Sequence, residues 1–208
     1  MAIKTNHKKR GSTFSLIFML VVLIALVAAI IFWPVDGAIA SSGVYTTAQD
    51  DIESTTLIHA GDVAPDFTVE ALKGGEVTLS EFKGKVVLVS FWATWCPPCR
   101  QELSHMQEAI FDRYKGTDLV VLPISRGEEP GKVRALLKKM GITFNVGLDQ
   151  TEQIYHSYAT NYVPRTYVID RNGRVAYLGL GYDEEVAEQT HQTLDKLLLK
   201  KVGQTNRK

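Results

Sequence analysis

Cysteine is nearly missing from this 208-residue chain: there are two, Cys96 and Cys99. Two cysteines cannot build a disulfide framework or a four-thiolate zinc site. The five histidines do not make up the shortage. His7, His59, His105, His156 and His191 are scattered, with none at finger-like spacing, so no metal or other cofactor is expected. Covalent haem attachment needs a histidine directly after the second cysteine, and Arg100 stands there. An excess of either charge is also lacking. The 23 Lys and Arg balance the 23 Asp and Glu, so no basic face points to nucleic acid. No internal repeat is visible.

One long stretch lacks charge altogether. From Phe14 to Trp33 there are twenty residues, none charged, with Ser15 alone polar. As a helix this run is roughly 30 Å long, the thickness of a bilayer core. Before it lies a basic segment, Met1–Thr13, with Lys4, Lys8, Lys9 and Arg10. After Arg10 no Lys or Arg appears until Lys73, while Asp36, Asp50, Asp51 and Glu53 intervene. The positive-inside rule then puts residues 1–13 in the cytoplasm, makes 14–33 a single-pass anchor and places the rest outside the cytoplasm. A cleaved signal peptide is the rival reading, with Ala38-Ile39-Ala40 as its cleavage site. The apolar run exceeds the usual signal core of about 7–15 residues, which favours a retained anchor. Both readings put the chain where disulfides persist. Pro34–Ala60, rich in Ser, Thr, Gly and Asp, reads as a flexible tether. A compact domain is expected over 61–202, with a tail at 203–208.

What is present is concentrated at Trp95-Cys96-Pro97-Pro98-Cys99. The apolar run Val86–Trp92 precedes it and reads as a strand buried on both faces. Leu103, Met106, Ile110 and Tyr114 follow at helical spacing, giving a helix over about Pro98–Tyr114. The pair therefore opens a helix, where unpaired N–H groups and the dipole favour a thiolate. Cys96 is expected at the exposed end as the nucleophile, and Cys99, one turn on, as the resolving thiol. A static disulfide closing so small a loop would constrain the unfolded chain little, so redox chemistry is the better reading. Pro97 and Pro98 remove two N–H donors near Cys96 and so tune its reduction potential. Trp95 shields the cysteine flank or simply packs there. His105 reads as an exposed helix residue.

Around this centre, Phe67-Thr68-Val69 and Val77-Thr78-Leu79 form a candidate hairpin. Ser80 caps a short turn that Gly84 ends. Leu119–Leu122 is a strand whose pairing is expected to stop at Pro123. Gly131–Met140 is a helix closed by Gly141, Phe144–Leu148 a strand and Glu152–Ala159 a short helix. Thr166–Ile169 and Val175–Leu178 flank an Asn-Gly turn. Asp183–Lys201 is the last helix, with Val186, Thr190, Leu194, Leu197 and Leu198 inward. The fold class is α/β, a sandwich on a mixed sheet.

This element order resembles the thioredoxin fold. Phe91-Trp92-Ala93-Thr94-Trp95-Cys96-Pro97-Pro98-Cys99, Gly61–Phe67, Leu79–Lys85 and Val163-Pro164-Arg165-Thr166 are similar to motifs of the TlpA/ResA-like group of the AhpC/TSA superfamily, membrane-anchored thiol–disulfide oxidoreductases. The resemblance covers about Gly61 to Lys201. It implies a thioredoxin-like sandwich with an N-terminal hairpin and a central helix–strand insertion at Gly131–Leu148. It also implies a cis Pro164 and a Val163 whose backbone binds an extended partner segment. Thioredoxin's buried aspartate is replaced by Ser90. Helical spacing alone reads Glu102 as a solvated acid; the resemblance instead gives it the proton-transfer role. The implied partners are disulfide-containing exported proteins, apocytochrome c among them, and a membrane electron donor that re-reduces the pair. A peroxidase of the related peroxiredoxin type needs Pro-x-x-x-Thr-x-x-Cys, and neither cysteine has it. A disulfide oxidase or isomerase and a non-catalytic module on a tether compete with the reductase reading.

Overall fold

The structure, a computed structural model, describes residues 17–26 and 48–199. The chain forms two units, residues 1–45 and 46–208. In the first, 17–26 is a helix (α1) whose apolar side chains are exposed all round. The rest of the expected 14–33 anchor, the basic segment before it and the Ala38–Ala40 cleavage site lie outside the described residues. No helix among the described residues is long and apolar enough to cross a membrane.

The second unit is a seven-stranded mixed sheet. The elements run α2 (Ala48–Ser54), β1 (Thr68–Ala71), β2 (Glu76–Thr78), β3 (Val86–Trp92), α3 (Pro97–His105), β4 (Leu119–Arg126), α4 (Pro130–Met140), β5 (Gly147–Asp149), α5 (Gln153–His156), β6 (Arg165–Ile169), β7 (Val175–Leu180) and α6 (Glu184–Leu198). Strand order is β2-β1-β5-β4-β3-β6-β7. β3 is apolar on both faces and all seven of its residues are buried. It pairs parallel with β4 and antiparallel with β6. Val86, Leu88 and Trp92 pack with Leu103, Met106 and Ile110, with Val133 and Leu137 of α4, and with Leu194 and Leu198 of α6. Val87, Val89 and Phe91 pack on the other side against Tyr155, Tyr158 and Tyr167. The expected thioredoxin-like mixed sheet, with an N-terminal hairpin and a central helix–strand insertion, matches this architecture.

Several local expectations need correction. Pairing does not stop at Pro123: it sits within β4, opposite Ser90, and the ladder continues to Trp92↔Ser125. A proline forfeits one N–H only, and no strand faces Pro123 on the β5 side, where pairing starts at Ile124↔Gly147. The helix expected to reach Tyr114 is regular only to His105, and wider π-type turns occupy Met106–Phe111. The four-residue spacing of Met106, Ile110 and Tyr114 exceeds 3.6 per turn, and wider turns keep all three buried. The strand expected from Phe144 starts only at Gly147. The Asn145 side chain accepts the N–H groups of Val146 and Lys73, drawing the backbone out of the ladder. Ser80 does not cap its turn; Thr78 takes the cap position, and Ser80 N–H donates to Asp66. The helix expected over Glu152–Ala159 shortens to Gln153–His156.

The largest difference lies at the domain's start. The tether expected over Pro34–Ala60 is not a tether at its end: Ala48–Ser54 is helical. Thr56 then bridges to Ala159, and Leu57 N–H donates to Tyr158 O at 3.0 Å. Residues 34–47 and the tail at 203–208 lie outside the described residues.

Candidate functional site

β3 delivers the chain to a tight turn, Ala93–Trp95, and Cys96 caps α3. Pro97 and Pro98 fill the first two helical positions, where a missing N–H disrupts no helical bond. The first N–H of the helix is therefore that of Cys99, and it donates to Cys96 Sγ at 3.2 Å. Cys96 and Cys99 are joined in a disulfide, with Cα atoms 5.3 Å apart. Cys99 is fully buried. Cys96, expected to be exposed, is only 3 % exposed. The neighbouring Trp95 is 66 % exposed, so it stands out beside the disulfide rather than filling the core.

The peptide between Val163 and Pro164 is cis. Sequence separation is 67 residues, yet Cys96 Sγ lies 3.6 Å from Val163 O. The disulfide has no proton to donate there; a thiol at Cys96 would. Tyr162, the residue before Val163, has φ +67° and is exposed.

Glu102 follows Cys99 by one turn and is 3 % exposed, not solvated. Two hydroxyls meet its carboxyl: Ser90 Oγ donates to Oε2 at 2.8 Å and Thr166 Oγ1 donates to Oε1. Ser90 and Thr166 are cross-strand partners on β3 and β6, so one register places both on the α3 side of the sheet. Burial raises the Glu102 pKa from 4.5 to about 7, because desolvation outweighs the two hydroxyl hydrogen bonds that favour the carboxylate.

Glu128, Arg100 and Arg165 have no role at the site that the sequence alone singled out. Glu128, buried after β4, accepts Thr94 N–H at 2.6 Å and also the Thr94 hydroxyl. Arg100 Nη1 donates to Thr94 O at 2.8 Å. The turn before Cys96 is thus held from both sides. Arg165, wholly buried after the cis proline, bonds the loop that precedes it. Glu128 could have been found only as an acid just past a buried strand, and Arg165 only as a charge within an apolar one. His105 is not a free surface residue: it is half-buried, with Nε2 2.8 Å from His191 Nε2. Burial lowers both pKa values below 6.5.

Residues 60–178 match the AhpC/TSA family. The chain is 34 % identical over 137 residues to the thiol-disulfide oxidoreductase ResA of Geobacillus kaustophilus, covering 66 % of this chain and 78 % of that one. It is 30 % identical over 185 residues to ResA of Bacillus thuringiensis subsp. konkukian, covering 89 % and 95 %. Among solved structures it is similar to a candidate protein disulfide isomerase from Bacteroides thetaiotaomicron (TM-score 0.67, 34 % identity, covering 70 % and 93 %). It is also similar to a candidate thiol:disulfide interchange protein DsbE from Chlorobium tepidum (TM-score 0.63, 30 % identity, covering 68 % and 99 %). Fold, disulfide and relatives agree: this chain belongs to the AhpC/TSA family, as a ResA/TlpA-like thioredoxin-fold thiol–disulfide oxidoreductase.

Proposed function

We propose that the protein is a reductase of disulfides in exported proteins, held at the outer face of the cell membrane by its N-terminal helix. The observation that carries this reading is the Cys96–Cys99 disulfide at the start of α3, beside the cis Val163–Pro164 loop. In the reduced protein the Cys96 thiolate attacks one sulfur of a partner disulfide, and the other partner sulfur leaves as a thiolate. Cys99 then attacks Cys96 Sγ within the mixed disulfide. The partner leaves with both sulfurs reduced, and the Cys96–Cys99 disulfide is formed, two electrons having passed to the partner. A membrane electron donor returns two electrons to close the cycle. Val163 and Pro164 receive an extended stretch of the partner through backbone hydrogen bonds.

Cys99 must lose its proton to act, yet it is shut off from water. Glu102, one turn away with a pKa of about 7, is the internal acceptor. Apocytochrome c is the partner that the resemblance to the TlpA/ResA-like group suggests. The exposed apolar side chains of α1, within an uncharged run of twenty residues, support the membrane location. Turnover of a peptide disulfide by the full-length protein, abolished in Cys96→Ser, is the expected result. A reduction potential near that of a strong oxidant, about −120 mV, would instead assign it to disulfide formation.

A further inference from the structure

Arg165 is fully buried, and its acceptors are neutral oxygens. Burying a guanidinium is costly unless its donors are filled. Nε donates to Asn161 O at 3.0 Å and Tyr162 O at 3.3 Å. Nη1 donates to Thr56 Oγ1 at 2.6 Å. Nη2 donates to Ile52 O at 2.9 Å and to Thr55 Oγ1. One edge of the fork thus holds the two residues that lead into Val163–Pro164. The other edge holds the end of α2 and the residues after it, more than a hundred positions away in sequence. Thr160 N–H to Thr55 O at 2.8 Å and Tyr155 Oη to Tyr162 O at 2.6 Å fasten the same loop. Tyr162 needs such fastening, because its left-handed φ of +67° is unfavourable for a side chain of that size.

We infer that residues 52–56 position the partner-docking loop: acting through Arg165, they fix the backbone of Tyr162–Pro164, against which an extended partner segment docks. Arg165 is a positioning residue, and the segment leading into the domain is a second one. Lysine cannot replace it, since a single ammonium cannot span acceptors on both edges. The inference rests on the reductase reading.

The test uses the full-length protein with dithiothreitol as recycling reductant and two substrates. One is a linear peptide whose central cysteine is disulfide-linked to glutathione; the other is a small aromatic disulfide with no peptide backbone. The double variant Thr55→Ala with Thr56→Ala removes two acceptors without opening a large cavity. It should raise KM for the peptide roughly three- to tenfold, with kcat and the rate on the aromatic disulfide within about twofold of wild type. Thr55→Ser with Thr56→Ser should restore KM, and Arg165→Lys should behave like the alanine pair. Unchanged peptide KM, or equal loss on both substrates, overturns the inference. Wild-type protein that reduces neither substrate overturns the reductase reading itself.

Discussion

Glu102 is the residue whose chemistry is most sharply set by its surroundings. Its carboxyl is buried among side chains of α3 and α6 and faces two hydroxyls. Because the folded-state pKa is raised from 4.5 to about 7, the folded protein binds a proton that the unfolded chain has released. Its contribution to stability is therefore fully present below about pH 4.5 and is lost as pH rises through 7, by up to about 3 kcal/mol. Urea unfolding of the oxidised protein should show this decline as pH rises from about 4.5 to about 7, and Glu102→Gln should flatten it. The same variant should slow release of the mixed disulfide and remove the pH dependence of that step near 7. Thr166→Val removes a hydrogen bond that favours the carboxylate, so the midpoint of that profile should move above 7.

At the scale of elements, the site is a junction of β3, α3 and the loop before β6. The two prolines leave Cys99 N–H as the first helical donor facing Cys96 Sγ. Pro98→Ala should supply a second, since the N2 position also faces the cap. The added bond stabilises the thiolate and hence the reduced form. An upward shift of the reduction potential by about 10–30 mV is expected, measured by equilibration with glutathione; a downward shift would contradict this role. Much of this junction was legible in the chain. The buried strand, the cysteine pair and the Asn-Gly hairpin are signals carried by a few adjacent residues. Glu128 and Arg165 were not legible, because their partners lie 34 and about 110 positions away, and only the folded sheet brings them together. The widened turns at Met106–Phe111 escaped for a related reason: four-residue spacing reads as ordinary helix until the core fixes which residues must stay buried.

At the scale of the whole molecule, composition pointed to an anchor and a redox domain, and the boundary between them is where sequence misled most. Ser- and Thr-rich composition suggested a tether up to Ala60. Thr55 and Thr56 are instead hydrogen-bonding partners of a buried arginine, a use that composition cannot distinguish from solvation. For the proposed location, the full-length protein should stay with membranes after alkaline extraction. In intact cells treated with a reductant, a membrane-impermeant maleimide should label Cys96 and fail to label Cys96→Ser. The reductase reading itself meets its most direct test in Cys99→Ser expressed in the native host. Without Cys99 the second step cannot occur, so disulfide-linked complexes of Cys96 with exported proteins should accumulate and be identified by mass spectrometry. Absence of such complexes, with Cys96 still open to alkylation, would contradict a mechanism in which Cys96 attacks and Cys99 releases.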